Sequence, residues 1–283
     1  MRKSGIEIVL GEAKFTGKKE VEVNNKKYKG KNIVIATGSK PRKLNVLGVE
    51  NVKYFDNTNI FSIEDLPEKI LVVGGGPIGV EIAQALNRFD RKVTIVQQGS
   101  RILEHDDKDV TAVLLKQLEL EGIEFVFNAS VEIFSSPKSA VIKMKNGETR
   151  KLAFDAVFVG IGRELNLEPL QLRNAGIESK DNKIVTNKYL GTTNKNVFVC
   201  GDIAGDLMFS HAAEMQARIL INNFLSPLKK KWNNDHMSWV TFTDPEIATF
   251  GLNEKQLKDR GISYEKLKQD FSADDRAVTD DYQ

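Results

Sequence analysis

The stretch KILVVGGGPIGVE, residues 69–81, decides the fold. Lys69 to Val73 reads as a continuous strand of the kind buried on both faces of a parallel sheet. It runs straight into Gly74, Gly75, Gly76, Pro77, Ile78 and Gly79, and a helix follows with Val80, Ile82, Ala83 and Leu86 on its packed side. Gly74, Gly76 and Gly79 have GxGxxG spacing. Such spacing is common in turns and says little alone; directly after a strand and opening a helix, it points to a dinucleotide site. Gly74 permits the tight turn, Gly76 lets backbone approach a pyrophosphate, and Gly79 lets helix and strand pack closely. The first N–H groups of the helix and its partial positive charge then face the phosphates. A purely structural glycine turn is the competing reading.

Working outward, Lys92–Val96 reads as a second strand. Asp106–Leu120 has helical spacing, with Val110, Val113, Leu114 and Leu118 facing inward and Gly122 ending it. Ile123–Phe127 is a third strand. Val131–Phe154 supplies weaker strands around the turn Asn146-Gly147, and Asp155–Gly162 closes the unit with another apolar strand. Strand, glycine turn, helix and strand in that order predict βαβ units and a parallel sheet. Upstream, Ile6, Ile8 and Leu10, then Val21 and Val23, alternate as half-buried strands do, with Gly17, Asn24-Asn25 and Gly30 as turn signals. Lys31–Thr37 is a buried strand, Pro41 and Gly48 mark a loop, and Ser62–Leu66 reads as a short turn of helix. Downstream, Asn196–Val199 is a buried strand ending at Cys200-Gly201-Asp202, and a helix spans His211–Phe224. Beyond Trp232 the character changes. Trp239–Phe242 begins a further domain with too few residues to bury a core alone.

The end of the second strand selects the nicotinamide cofactor. An acid there accepts the ribose hydroxyls of NAD, but this position holds Gln97, followed by Gln98, Gly99, Ser100 and Arg101. A neutral amide removes repulsion against a 2′-phosphate, and Ser100 or Arg101 can pair with one. The balance leans to NADP. Against it, Gln97 can equally bond a plain ribose, and Arg101 can simply pack on the next helix.

The 283 residues carry 41 basic and 39 acidic side chains, a net charge of +2 that offers no general field for nucleic acid or an anionic membrane. Lys229-Lys230-Lys231 reads as a solvated connector. No apolar run reaches the length of a membrane helix, and Met1-Arg2-Lys3 does not open a signal peptide. With a single cysteine, Cys200, no internal disulfide can form; a reducing, cytoplasmic setting is the expectation. Cys200 lies in an apolar strand and reads as a structural thiol. His105, Asp106 and Asp107 precede a helix, and the two acids read as capping and dipole groups. No residues have metal-ligand spacing.

Four further blocks resemble the class I pyridine nucleotide-disulfide oxidoreductase family, which includes dihydrolipoamide dehydrogenase and mercuric reductase, in that family's order. Ala36-Thr37-Gly38-Ser39 resembles the strand end that completes its FAD domain. Gly79-Val80-Glu81 resembles its nicotinamide-side helix start. Gly160-Ile161-Gly162-Arg163 resembles the Gly-Arg turn leaving its NAD(P) domain. Asn196–Asp202 resembles its second FAD fingerprint. Met208-Phe209-Ser210-His211 is similar to a helix start lying against the flavin, and Trp239–Gly251, with FTDPE at 242–246, to the start of its dimerisation domain. His211–Arg218 and Asp274–Ala277 read closest to the mercuric reductase branch.

The resemblance implies an α/β chain with a Rossmann-like NAD(P)-binding domain inserted in a partial FAD-binding domain, followed by the start of an α+β dimerisation domain. The boundaries expected are 1–62 and 192–232 for the FAD segments, 63–191 for NAD(P), and 233–283 for dimerisation. It implies FAD at Gly11, Thr37, Gly38, Ser39, Gly201, Asp202, Met208, Phe209, Ser210 and His211. It implies NAD(P) at Gly74–Gly79, Glu81, Gln97, Ser100, Arg101, Val131 and Gly162. Glu81 would lie near the reacting ring; a solvated helix residue is its alternative. The implied activity is hydride transfer between nicotinamide and flavin, with a small disulfide, metal ion or other small molecule as acceptor and a homodimer as the working form. Three family features do not occur in this sequence: a first GxGxxG, a Cys-x4-Cys pair and a terminal His-Glu pair. Leu165 also stands where the family has proline. A chain truncated at both ends is therefore expected, with a non-catalytic NAD(P)-binding module as the alternative.

Overall fold

The structure is a computed structural model, described here for residues 5–205 and 207–279; Met1-Arg2-Lys3 lies outside the described residues. In chain order, a meander of β1 (Ala13–Gly17), β2 (Glu20–Val23) and β3 (Lys26–Lys29) leads to β4 (Ile33–Ile35) and the short β5 (Lys40–Pro41). Next come β6 (Tyr54–Phe55), β7 (Lys69–Val73), α1 (Pro77–Arg88), β8 (Lys92–Val96), α2 (Lys108–Leu120) and β9 (Glu124–Val126). The antiparallel strands β10 (Ala129–Ser136), β11 (Ser139–Met144) and β12 (Thr149–Ala153) precede β13 (Ala156–Val159). The chain continues through β14 (Arg163–Glu164), β15 (Ser179–Lys180), β16 (Lys183–Ile184), β17 (Val197–Val199) and α3 (Ser210–Leu225). It finishes with the hairpin β18 (Ser238–Thr241) and β19 (Ile247–Phe250), α4 (Glu254–Asp259) and α5 (Asp275–Thr279).

Two compact units result. One joins the residues up to Lys40 with Arg163–Met237; the other joins Pro41–Gly162 with the residues from Ser238 onward. These divisions differ from the boundaries expected at 62/63 and 191/192, and core membership is the reason. Val52 and Phe55 pack among the strands that follow them. Leu165, Leu170, Leu172, Ile177, Ile184 and Leu190 share a core with Phe15, Ile35, Val197 and Val199.

In the second unit the five-stranded sheet has the order β6-β13-β7-β8-β9, with every neighbouring pair parallel. Ile70, Leu71, Val72 and Val73 are all buried, as parallel strands covered on both faces must be. Val80, Ala83 and Leu86 press α1 onto this sheet with Ile95, Leu114 and Leu118. Gly74–Gly76 therefore lies at the carboxyl end of β7, beside the ends of β8 and β13, where open parallel sheets bind ligands. In the first unit, β17 pairs in parallel with β4, bringing the end of each beside the other.

Three expectations need correction. Residues 6–10 form no strand, and Ile6, Ile8 and Leu10 stay exposed; their alternation meets no pairing strand among the described residues. On α2 the buried positions are Thr111, Leu114 and Leu118, while Val110 and Val113 are exposed, Val113 by 63%. The apolar stripe is thus rotated toward Thr111, whose hydroxyl donates to the Lys108 carbonyl and receives a bond from Arg101, so a polar residue takes a buried place. Lys229 is more than a solvated connector: its ammonium donates to the Asn223 and Ser226 carbonyls at the end of α3, which offsets the negative end of that helix.

The rotated stripe can be measured. Leu114→Ala should lower unfolding free energy by about 2–5 kcal/mol, whereas Val113→Ala should stay within about 0.5 kcal/mol of the parent in urea denaturation.

Candidate functional site

The glycine turn is built from contacts that only glycine permits. Gly74 has φ +108°, and a Cβ there would stand 2.5 Å from the Gly160 carbonyl oxygen. A Cβ on Gly79 would stand 2.0 Å from the Gly74 carbonyl oxygen. These two positions lock the start of α1 against the ends of β7 and β13. Gly76 is different: a Cβ there would meet nothing within 4 Å. The space over Gly76, at the amino end of α1, is open, which is what a pyrophosphate approaching the free N–H groups requires. The first turn of α1 holds no acidic residue, so nothing there repels an anion. Pro77 occupies the first helical position, where its missing N–H costs nothing.

The loop after β8 closes one side of this turn. The Gln97 side chain accepts from the Gly75 N–H at 2.8 Å, and the Leu103 N–H donates to the Gly75 carbonyl at 2.9 Å. Arg101 is turned into its own loop. Its two terminal nitrogens donate to the carbonyls of Leu103, Glu104 and Asp106 and to the Thr111 hydroxyl. Of the two readings of Arg101, these bonds correspond to packing against the next helix. Ser100 stays exposed. Val131 buries its side chain in the core, leaving only backbone for a ligand, and Gly162 has φ +95° with open space beside its Cα.

Glu81 sits half-buried on α1 and accepts from the Phe242 N–H at 2.8 Å. Burial pushes its carboxyl above the usual carboxylate range, opposed by that backbone bond. Three residues on, buried Gln84 accepts from the Asp244 N–H and donates to the Asp244 carbonyl. Asp106 accepts from Trp239 Nε1 and from the Thr249 hydroxyl, both at 2.8 Å, and Asp107 accepts from the Glu254 N–H. Neither acid caps α2 through its side chain, as the sequence suggested; together they fasten the β18–β19 segment. The indole and hydroxyl that make this possible lie more than 130 residues away in sequence.

In the first unit the strand ends gather a second polar cluster. The Ser39 hydroxyl donates to Asp202 Oδ2 at 2.5 Å, and Arg163 Nε donates to Ser39 Oγ at 2.6 Å. Arg163 Nη2 also donates to the Ser39 carbonyl, and Nε lies 3.5 Å from Asp202 Oδ2. Thr37 is exposed, and Gly38 has φ +68° with open space. Gly201 has φ +78°, and its N–H donates to buried Gln216. Met208 is half-buried, Phe209 stacks on His211 with centroids 5.4 Å apart, and Ser210 opens α3. Gly11 is exposed, and a Cβ there would strike Asn24 and Val23. Cys200 packs its thiol against the Ala213 carbonyl, and burial raises its pKa, so it stays a protonated thiol.

The sequence pattern of the family described as pyridine nucleotide-disulphide oxidoreductase matches residues 1–217, and that of its dimerisation domain matches residues 237–283. The chain belongs to the pyridine nucleotide-disulphide oxidoreductase family. A dihydrolipoyl dehydrogenase from Mycoplasma pneumoniae is 35% identical over 279 residues, covering 97% of this chain and 60% of that protein. A mercuric reductase from Staphylococcus aureus is 30% identical over 260 residues, covering 91% and 48%. Among solved structures, the HOCl-induced flavoprotein disulfide reductase RclA from Escherichia coli superposes with a TM-score of 0.86 at 27% identity, over 96% of this chain and 63% of that one. The chain thus spans only 48–60% of the length of these curated relatives. Membership implies FAD and a pyridine nucleotide. The open cradle over Gly76 fits the nucleotide. The strand-end cluster around Asp202, with left-handed glycines at 38 and 201 keeping backbone accessible, fits a polyhydroxyl chain such as that of a flavin. Among the described residues, no helix is long and apolar enough to cross a membrane, and no group of three His, Cys, Asp or Glu could hold a metal.

Sequence reasoning did not single out Gln84 or Glu104 in this family member, and it noted Arg163 only as part of a turn. Gln84 is buried on α1, and its spacing one helical turn past Val80 is the one signal that could have found it.

The raised Glu81 carboxyl has a measurable consequence. The folded state holds the proton more tightly than the unfolded chain, so stability falls as pH rises from the ordinary carboxylate range through the raised folded value. Glu81→Gln keeps an acceptor for the Phe242 N–H but carries no charge. Its thermal midpoint should lose less than the parent's between about pH 4 and pH 7.

Proposed function

We propose that this chain carries the hydride-transfer core of an FAD- and NAD(P)H-dependent oxidoreductase of the disulfide reductase type. The observation that carries the reading is the glycine turn, with Gly74 and Gly79 in mutual backbone contact and open space over Gly76 at a helix amino end. In this reading the second unit binds the pyridine nucleotide at Gly74–Glu81, and the first holds the flavin at Gly38, Ser39, Gly201, Asp202 and Met208–His211. The nicotinamide and flavin supply the redox chemistry when bound; the protein aligns them and excludes water. Ser39, itself held by Arg163, donates to Asp202 Oδ2 and so orients the carboxyl group toward a ligand hydroxyl. Glu81, the nicotinamide-side candidate, is kept in place by the Phe242 N–H.

Cys200 is the only cysteine in the sequence and is a protonated thiol, so a dithiol relay is not available from these residues. The terminal acceptor in this reading is a small disulfide, a metal ion or another small molecule reached from reduced flavin. A second copy of the chain is the expected partner, since residues 237–283 match the dimerisation domain. The single free thiol suits a reducing, cytoplasmic setting.

Visible absorption of the purified chain, followed by anaerobic titration with NADH and NADPH, tests the proposal. A stoichiometric flavin band that bleaches with either nucleotide is expected. Gly76→Ala, which meets no steric obstacle, should leave the thermal midpoint unchanged while weakening nucleotide binding by roughly tenfold. A colourless protein that still binds nucleotide would favour the non-catalytic NAD(P)-binding module.

A further inference from the structure

We propose that Glu104 sets nucleotide selectivity, supplying from the following loop the acid that the strand end lacks, and that the site therefore prefers NADH to NADPH. This rests on the reading of Gly74–Glu81 as the pyridine nucleotide site. In folds with a glycine turn after one strand, the adenosine ribose lies beyond the carboxyl end of the next strand, against its terminal acid. Here that residue is Gln97, and its carbonyl oxygen is already engaged by the Gly75 N–H. A carboxylate nevertheless reaches this loop. Glu104 Oε1 and Oε2 lie over Gly99, 1.6 Å and 2.9 Å from where a Cβ on that residue would be. The Glu104 carboxylate occupies the space that a side chain at 99 would take, two residues past Gln97.

Two further observations make this more than a chance contact. The Glu104 carboxylate has no hydrogen-bond donor or ion-pair partner among the described residues, so its acceptor capacity is available. Its backbone is also held: Leu103 N–H donates to Gly75 and Arg101 clamps the carbonyls of Leu103, Glu104 and Asp106. The one cation of the loop is thereby consumed in holding the acid beside the glycine turn. A ribose hydroxyl can donate to this carboxylate; a 2′-phosphate meets like charge there. The rival feature is a depression of about 440 Å³ lined by Gln98, Asn128, Ser130, Lys143 and Lys145. Lys143 is paired with Glu132 at 3.0 Å, which leaves Lys145 as its available cation.

Equilibrium titration of the full chain with NADH and with NADPH, repeated for Glu104→Gln and Lys145→Gln, decides the matter. The parent should bind NADH at least roughly tenfold more tightly than NADPH, and Glu104→Gln should erase most of that ratio through gained NADPH affinity. The parent's discrimination should also shrink with added salt, because a charge repulsion is screened. A merely structural Glu104 would weaken both nucleotides alike and leave the ratio unchanged, which overturns the inference. So does a parent that prefers NADPH and loses that preference in Lys145→Gln. Folded protein that binds neither nucleotide sinks the dinucleotide reading and this inference with it, whereas binding of both at an unaltered ratio sinks this inference alone.

Discussion

Three glycines in mutual contact carry the unit built on the five-stranded parallel sheet. Gly79 lies against the Gly74 carbonyl, Gly74 against the Gly160 carbonyl, and Gly160 against the Gly79 backbone, with distances from ideal Cβ positions between 2.0 and 3.2 Å. Each contact joins a different pair of elements: β7 to α1, β7 to β13, and β13 to α1. Any side chain at these positions would force the elements apart. The closeness brings the amino end of α1 down to the sheet edge, so its unpaired N–H groups face a single point in open space. The buried faces of β7, β8 and α1 then follow as the apolar lining of that arrangement.

The loop from Gln97 to Asp107 depends on the same constraint. Gly75 both donates to Gln97 and accepts from Leu103, so the loop is fixed to the turn at two places. Arg101 spends its guanidinium on carbonyls inside the loop. An arginine often signals a phosphate site, but here three carbonyls and a hydroxyl compete at close range and win because they are preorganised. What the arginine provides is rigidity, and rigidity places Glu104, Asp106 and Asp107 as separate contact points along one short stretch.

Much of this could be read from residues in order. An apolar strand, three spaced glycines and an amphipathic helix are local signals, and they specified the parallel sheet and the tight glycine turn. The missing parts are those decided by partners distant in sequence. Val110 and Val113 looked inward because they are apolar; Thr111 takes the buried place because Arg101 gives its hydroxyl a bond. Ile6, Ile8 and Leu10 alternate as a strand does, yet alternation cannot supply a neighbouring strand to pair with. Asp106 resembles a helix-capping residue until Trp239 and Thr249 arrive from the far end of the chain. Ser39, Arg163 and Asp202 are 124 and 163 positions apart in their hydrogen bonds and meet only because the first unit is assembled from two segments.

The docking of β18–β19 shows how a segment too short to fold alone acquires a fixed structure. Ile247 is buried with the α1 and α2 side chains, but one apolar residue cannot specify orientation. Polar bonds do so. Phe242 and Asp244 present backbone N–H groups to Glu81 and Gln84 on successive turns of α1, while Trp239 and Thr249 present side-chain donors to Asp106 before α2. Asp106 is only 4% exposed, and an isolated carboxylate at that depth would be costly. The two neutral donors that the hairpin brings, with the positive end of α2, offset the cost of its own burial of Asp106. Asp106 thereby ties the start of α2 to the hairpin, while Glu81 and Gln84 tie α1 to the same segment, which matches the family's dimerisation domain.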